Sequence, residues 1–486
     1  MDYGTASLTH LAVMTIALVI MGTLLLMAVA IFRRWQQVRY ARYLHSLRKR
    51  YRPILAESLR GTCAAAGIVA LQELPRSDLE LLIDPLFSKR KVPESHLVFL
   101  QSLCGQLGLT QLWQYRLVTG EEPPYQPASP SGAPRRLSAR PLLSFLLRAK
   151  SIRNLGILRH RSSWPHLVKA LDDPHPDIQS VALRALAAIR AHESFPAILE
   201  RLTTVALGGP ASLSLRALRT ALISFDLGCS AALVPPLRHP YPPIRALGAD
   251  ILREMVRREA ARVPDFFLRP EDSSPELIEL ILSDLCRDAS AEVRGRVAEV
   301  LAYLADARAT AVLHELLFDP EWYVRLRAVR GLASPRHASA LAGVRACLRD
   351  PHWRVREAAI RTLIALGPLG RKELYECFLT TQDPILRDQL VVEIERTGLM
   401  ASLINDYGHG RGGVEALAME HLASQVAPRG FLEALLVSDP TVRQEFLQRF
   451  LPYVHFIMRL EEGAPTDAPI RHHLQQTLEF PPLRAA

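Results

Sequence analysis

The chain has 486 residues, of which 49% are hydrophobic and 22% charged, so it can bury a sizeable core and does not have the composition of a disordered protein. Its six cysteines are scattered and contain no CxxC pair, which argues against a disulfide framework and favours free buried thiols in a reducing compartment. The net charge of +10 is localised: residues 33–52 carry +8, residues 1–32 carry −1 and residues 53–486 carry +3.

Residues 11–32 read LAVMTIALVIMGTLLLMAVAIF and contain no charge. A helix of this length is about 33 Å long, enough to cross a hydrocarbon core of roughly 30 Å. A cleaved signal peptide is less favoured, because the first ten residues have no basic region and the apolar run ends at Phe32 followed by Arg33 and Arg34. We expect a short extracytoplasmic segment at 1–10 and a transmembrane helix at 11–32.

The segment that follows, residues 33–60, is predicted to be a basic juxtamembrane helix. Its Lys and Arg residues place it in the cytoplasm by the positive-inside rule, and they indicate contact with anionic lipid head groups. The segment either stands as a stalk of roughly 30 Å or lies along the membrane. The basic residues are Arg33, Arg34, Arg39, Arg42, Arg48, Lys49, Arg50 and Arg52.

Four further regions follow in chain order. Residues 61–118 are predicted to form a helical membrane-proximal region without a repeat pattern. Residues 119–138 contain five prolines and no apolar periodicity, which indicates an exposed linker. Residues 139–460 are predicted to form the repeat domain described next, and residues 461–486 a C-terminal tail.

A repeat is visible in three stretches spaced by 31 residues: RDASAEVRGRVAEVL at 287–301, FDPEWYVRLRAVRGL at 318–332 and RDPHWRVREAAIRTL at 349–363. Looser copies begin at 172, 238, 381 and 438. Self-similarity of this length is typical of a solenoid, in which each unit buries its apolar face against its neighbours.

The local chemistry of each copy predicts where its helix begins. Asp350 followed by Pro351 is expected to be an N-cap with proline at the first helical position. Val355, Ala359 and Leu363 then form one apolar stripe. A second amphipathic segment precedes each copy, so each repeat holds two helices and the fold class is an all-α solenoid after one transmembrane helix.

The unit D-P-x-W-x-V-R followed by A-x-x-A-L-like spacing resembles the HEAT repeat, in the bacterial form shared with phycobilisome-lyase-like repeats. The resemblance implies a ladder of hydrogen bonds along the stack, formed by the Asp and Arg of each repeat. It also implies that the ladder is interrupted at Gln179 and Glu415, where the Arg is absent. The implied ladder residues are Asp288, Arg294, Asp319, Arg325, Asp350 and Arg356.

No sequence pattern indicates catalysis, a metal site or a cofactor, since HExxH, GxSxG, P-loop and paired Cys/His spacings are missing from the sequence. The segment GHGRGG at 408–413 fits GxGxxG by letters alone, because no strand is expected before it. The pair His472-His473 is a weak candidate for a metal site and is interpreted as part of the tail. The segment HGRGG at 409–413 is a weak candidate for a phosphate site and is interpreted as a turn between helices. Trp322 and Trp353 occupy equivalent repeat positions and are expected to pack into the neighbouring repeat rather than to act as stacking platforms.

These observations predict a membrane-tethered scaffold, not an enzyme, that presents a cytoplasmic solenoid to a protein partner. The partner is expected to be embedded in the membrane, in a cell-envelope or polysaccharide-synthesis complex. Arg outnumbers Lys 53 to 6, which suggests a GC-rich bacterial genome and hence the inner membrane. The alternatives are a nucleic-acid-binding HEAT-like protein and a bilin-lyase-like enzyme. The near-neutral solenoid and the membrane span count against them, and no nucleic acid or small-molecule substrate is expected.

Overall fold

The computed structural model describes residues 3–59, 65–87, 93–121, 141–209, 212–263, 274–304, 306–334, 339–408, 413–423, 434, 437–439 and 441–442. The chain divides into two compact units, unit 1 (Met1–Phe225) and unit 2 (Asp226–Ala486). The described residues form helices and turns, without a β-strand. The prediction of an all-α solenoid after an apolar N-terminal helix is therefore confirmed.

The N-terminal helix α1 runs without a break from Tyr3 to Leu59, so the predicted segments 11–32 and 33–60 lie on one helix. Its apolar part has a mean hydropathy of 2.6 and is not buried against the rest of the chain. Leu25 and Leu26, for example, are 66% and 70% exposed. By length and composition α1 can cross a membrane.

The second half of α1 packs on the helices that follow it, which favours a stalk over a helix lying along the membrane. Leu47 and Leu55 are buried, and Tyr43 Oη donates a hydrogen bond to Asp78 Oδ2. Asp78 lies on the third helix of the chain, and the second and fourth helices also contact α1. The structure thus joins α1 to the folded part of unit 1.

Unit 1 continues with nine helices in its described residues. They are α2 (Ala65–Gln72), α3 (Arg76–Phe87), α4 (Glu94–Gln106), α5 (Leu109–Thr119), α6 (Pro141–Ile157), α7 (Trp164–Lys169), α8 (Pro176–Ile189), α9 (Phe195–Ala206) and α10 (Leu215–Ile223). Helix α5 packs on α6, α6 on α8 and α8 on α10, so the helices before and after residues 122–140 share one core. Most of the predicted Pro-rich linker lies outside the described residues.

A buried ionic cluster connects three helices of unit 1. Glu80 on α3 accepts hydrogen bonds from Trp113 Nε1 at 2.9 Å and from Arg116 Nη1 at 2.8 Å, both on α5. Lys150 on α6 lies 3.3 Å from the same carboxylate. The Arg116 side chain is 1% exposed, so the Glu80 carboxylate compensates a buried charge.

Unit 2 contains the clearest repeats. Its helices are α11 (Val234–Leu237), α12 (Pro242–Arg258), α13 (Pro275–Glu279), α14 (Ala291–Leu301), α15 (Ala307–Leu316), α16 (Trp322–Gly331), α17 (Leu341–Ala346), α18 (Trp353–Ala365), α19 (Pro368–Thr380), α20 (Pro384–Arg396), α21 (Leu399–Gly408) and α22 (Val414–Ala423). The second helices of successive repeats, α12, α14, α16, α18 and α20, pack side by side in one row. The predicted stripe on α18 is fully buried and consists of Val355, Ala359 and Leu363.

The predicted helix start was wrong. Helix α18 begins at Trp353 with His352 as its N-cap, three residues after Asp350, and His352 Nδ1 accepts from the N–H of Arg354. Asp350 instead closes the turn before the helix, because its Oδ1 accepts the N–H of His352 at 2.8 Å. The tail at 461–486, His472, His473 and residues 409–412 of HGRGG lie outside the described residues.

Candidate binding surface

Two of the three ladder arginines, Arg294 and Arg325, meet the Asp that follows them by 25 residues, in the next repeat. Arg294 donates to Asp319 through Nε at 2.6 Å and Nη2 at 2.9 Å, and Arg325 donates to Asp350 with the same two distances. Within its own repeat each Arg bonds the backbone instead. Arg325 Nη1, for example, donates to Asp319 O at 2.8 Å.

Each ladder Asp therefore has three roles. It closes its own turn, receives a bidentate guanidinium from the preceding repeat and presents its carbonyl to the Arg of its own repeat. For Asp288 the guanidinium comes from Arg245, which the sequence alignment placed in a looser copy. Burial by itself would raise the pKa of Asp288, but the hydrogen bonds from Arg245 and from the Ser290 N–H hold that pKa below its ordinary value.

The ladder changes where a member is missing. Arg356 still donates Nη1 to Asp350 O at 2.9 Å, but its Nε donates to Gln389 at 3.1 Å because Thr381 stands where the next Asp would be. In unit 1, Gln179 donates to Asp173 O at 2.7 Å and accepts from Ser212, so a neutral pair replaces the ionic one there. The side chain of Glu415 lies outside the described part.

Sequence reasoning missed one further pair of this kind in unit 1. Arg148 Nη1 donates to Asp173, and the two residues have the same separation of 25. Asp173 also accepts the N–H of His175 at 2.9 Å. The Asp-Pro at 173–174 was a usable signal for the acid, whereas the Arg lies in a first repeat too divergent to align.

The row of second helices in unit 2 presents alternating charges. Glu299 on α14 receives Arg253 from α12 at 2.9 Å and Arg327 from α16 at 3.1 Å. Glu393 on α20 receives Arg361 at 3.1 Å and Arg396 at 2.8 Å. Acids thus neutralise much of the arginine of this row, and it does not form the uniformly basic surface that phosphate binding needs.

A cluster of aromatic rings lies at the start of α16 and α18, and we call it the aromatic surface: Trp322, His352, Trp353 and Arg354. The rings of Trp322 and His352 are stacked 3.9 Å apart at an angle of 2°, and His352 and Trp353 lie 6.4 Å apart at 14°. The Arg354 guanidinium lies 5.7 Å from the Trp322 ring and 5.3 Å from the Trp353 ring.

Exposure distinguishes the two tryptophans of this surface. Trp322 packs onto the turn of the next repeat, as predicted, but Trp353 is 53% exposed, so the packing prediction was wrong for Trp353. Arg354 is exposed and forms no ion pair with a described carboxylate. Trp and Arg are among the residue types enriched at protein-binding hot spots.

The cysteines offer no nucleophile among the described residues. Cys104, Cys229, Cys286, Cys347 and Cys377 are all buried. Burial raises the pKa of Cys104 to about 12, and burial followed by the nearby Asp350 charge raises that of Cys347 to about 12. Both thiols are therefore protonated at neutral pH, when only a thiolate would react.

The eight basic residues predicted to be near the membrane all lie exposed on α1. None of them forms an ion pair with a described carboxylate. The Arg39 guanidinium lies 5.4 Å from the Trp35 ring, and that of Arg50 lies 5.4 Å from the Tyr51 ring. This basic helix lies in unit 1, apart in sequence from the ladder and the aromatic surface.

Comparison with known families and structures agrees with the repeat. Residues 275–364 and 310–395 each match the family model of HEAT repeats, so the matched stretch is about a quarter of the chain. The match does not distinguish the phycobilisome-lyase-like form from other HEAT repeats. None of the curated proteins is similar enough in sequence to match this chain.

The solved structures that match this chain include natural and engineered proteins. An engineered protein is 17% identical with a TM-score of 0.30, over 80% of this chain and 98% of its own. Kap121p bound to RanGTP is 11% identical with a TM-score of 0.38, over 84% of this chain and 50% of its own, so this chain spans about half its length. A designed armadillo repeat protein in complex with the peptide (KR)4 is 18% identical with a TM-score of 0.25, over 53% of this chain and 99% of its own.

Proposed function

We propose that this protein is a membrane-anchored scaffold that binds a protein partner through the aromatic surface of unit 2. The observation that carries the proposal is the exposed Trp353 beside Arg354, at the edge of a stack that the Arg–Asp ladder holds together. An exposed indole keeps a large apolar area in water, and covering that area with a partner releases free energy of about 25 cal/mol per Å².

The anchor in this proposal is α1. Its apolar part crosses the inner membrane of a bacterium once, with the N-terminus outside and everything after the span in the cytoplasm, because the basic residues directly follow the span. A partner embedded in the same membrane gains effective concentration from sharing its plane. A membrane complex that builds the cell envelope or a surface polysaccharide fits this arrangement.

The partner site is tested by Trp353→Ala and Arg354→Ala in the full chain, with Leu369→Ala as the matched control. Leu369 is 64% exposed and lies on α19, outside the row of second helices. After cross-linking in intact cells, both variants should lose the partner while the control keeps it, and all three should melt like the unaltered chain. Equal partner recovery from Trp353→Ala and the unaltered chain would contradict the proposed site.

The orientation is tested with two reporters fused after residue 450. A fluorescent protein should be bright there and alkaline phosphatase inactive, because the first folds in the cytoplasm and the second requires an oxidising compartment. The opposite pair of results would place the residues after the span outside.

The membrane-embedded partner is tested by the cross-linking experiment. Recovery of soluble proteins or nucleic acid alone, with no polytopic membrane protein, would contradict a membrane-embedded partner.

A further inference from the structure

The basic residues of α1 lie on one helix that the packing holds in place. Tyr43 bonds Asp78 on α3, and the buried Leu47 lies one turn further along the same face. At 100° per residue, Arg48, Lys49 and Arg52 lie more than about 90° from both of these residues, whereas Arg50 lies within about 60° of both. Arg50 is exposed as well. Because Leu47 and Leu55 are buried against the unit, this half of α1 does not turn its apolar side to a bilayer when the apolar half of the same unbroken helix crosses it.

Distance along the helix axis separates a near pair of basic residues from a remote set of four, with Arg39 and Arg42 between them. Arg33 and Arg34 directly follow Phe32, the last residue of the apolar run, whereas Arg48 comes 16 residues and Arg52 20 residues after it. At 1.5 Å per residue, Arg48 and Arg52 are about 24 Å and about 30 Å beyond the span. A tilt of about 20° shortens these heights by less than about a tenth.

Electrostatic range then decides which set meets lipid. The Debye length at physiological ionic strength is about 8 Å, so charges about 24–30 Å beyond the span are screened from the head groups that hold it. Arg33 and Arg34 lie within that range. The remote set, Arg48, Lys49, Arg50 and Arg52, keeps a charge of +4 with no described carboxylate paired to it.

We propose that the remote set is a docking site for an acidic segment of a partner protein, held above the membrane instead of on it. The inference rests on α1 crossing the membrane, as proposed above. The four residues span about 6 Å of helix axis, which suits a few clustered carboxylates. It is too short for the six to ten phosphate contacts, roughly, that give tight binding to a nucleic acid.

The test places a photo-crosslinking amino acid at position 45 or at position 36 of the full chain in intact cells. His45 and Gln36 are both exposed, and neither substitution removes a basic residue. Position 45 lies beside the remote set and position 36 beside Arg33, Arg34 and Arg39. We expect protein adducts at position 45, with the cross-linked peptide rich in Asp and Glu, and lipid adducts at position 36.

Two variants with equal charge loss provide the control. Arg48→Gln with Arg52→Gln should lower the yield of the protein adduct about tenfold, and Arg39→Gln with Arg42→Gln should lower it less than twofold. Each variant keeps six basic residues after the span, so the orientation should not change. Both altered pairs are exposed, which leaves the fold intact.

Several outcomes would overturn the inference: lipid, nucleic acid or a second copy of this chain at position 45, no adduct there at all, or equal losses in the two variants. Carbonate extraction of the same cells separates this failure from that of the anchor. A chain that carbonate releases from the membrane contradicts the proposed anchoring. A retained chain with lipid adducts at position 45 contradicts only the acidic docking site.

Discussion

At the scale of single residues, the ladder arginines differ in which groups would lose a hydrogen-bond donor if the Arg were removed. Without Arg325, the Asp350 carboxylate, 6% exposed, would keep only the N–H of His352, and Asp319 O would lose a donor. Without Arg356, no carboxylate would be stranded, because its side-chain partner is the amide of Gln389. Two arginines in equivalent repeat positions are therefore expected to contribute differently to the stability of the fold.

We predict that Arg325→Ala lowers the free energy of unfolding by about 2–3 kcal/mol, since it leaves a buried charge poorly paired. Arg356→Ala, which removes hydrogen bonds only to neutral groups, should lower it by about 1 kcal/mol. Thermal and urea unfolding followed by circular dichroism measure both. An equal loss in the two variants would show that the carboxylate contributes nothing beyond a neutral acceptor.

The ionisation of Glu80 makes the stability of unit 1 depend on pH. Burial alone would raise the pKa of Glu80, but the charges of Arg116 and Lys150 and the hydrogen bonds from Arg116 and Trp113 outweigh burial and lower that pKa from its ordinary value of 4.5. A lowered pKa in the folded state means that the stabilisation is present above pH about 4.5 and is lost as the pH falls through the lowered pKa.

We therefore predict that Glu80→Gln lowers the free energy of unfolding by about 3 kcal/mol at pH 7, because the buried charge of Arg116 loses the Glu80 carboxylate. At pH 3 the variant and the unaltered chain should differ less. Asp84→Asn is the control, since Asp84 meets Lys150 at 2.7 Å but its side chain is 35% exposed. A difference for Glu80→Gln that stays constant from pH 7 to pH 3 would contradict this account.

At the scale of the repeat, the ladder depends on the residue that begins each turn. Thr381 occupies that position after α19, and its Oγ1 accepts the N–H of Asp383 at 3.3 Å, as the ladder acids do for their own turns. Its carbonyl accepts from Arg387 at 2.6 Å. Only the carboxylate is missing, and Arg356 turns to Gln389 as a result.

Restoring that carboxylate should extend the ladder by one step. We predict that Thr381→Asp raises the free energy of unfolding by up to about 1 kcal/mol, because Arg356 gains the bidentate partner that Arg294 and Arg325 already have. Thr381→Asn, which can close the turn but carries no charge, is the matched control. A gain for the Asn variant equal to that for the Asp variant would attribute the effect to the turn.

At the scale of the whole chain, α1 belongs partly to the apolar segment and partly to the fold of unit 1. Residues before Arg39 make no buried contact among the described side chains, whereas Leu47 and Leu55 are buried and Tyr43 is hydrogen-bonded to Asp78. A truncation can therefore remove the apolar half and leave the packed half.

We predict that deleting residues 1–34 leaves a soluble helical protein, because residues 35–59 keep their packing on α3. Deleting residues 1–59 should instead expose the apolar surface that covers Leu47 and Leu55, giving a lower melting temperature or aggregation. Gel filtration and circular dichroism distinguish the two truncations. Identical behaviour of both would mean that the packed half of α1 does not contribute to the fold.

The sequence by itself determined the all-α repeat, the apolar helix and the residue types of the ladder, because these follow from local periodicity and from a pattern repeated every 31 residues. It also placed Arg245 in a looser copy of the repeat. It did not determine which Asp this Arg pairs with, because a pairing over 43 residues depends on how the repeats stack.

The tertiary structure alone decided three further features. The turn bond of Asp350 moved the start of α18 to Trp353. Stacking buried part of Trp322 but left Trp353 exposed. The contacts of Tyr43 and Leu47 packed the second half of α1 onto the rest of unit 1. The physical reason is common to all three. The position of a side chain relative to solvent and to distant charges is fixed by neighbours that are remote in sequence, and a local pattern carries no information about them.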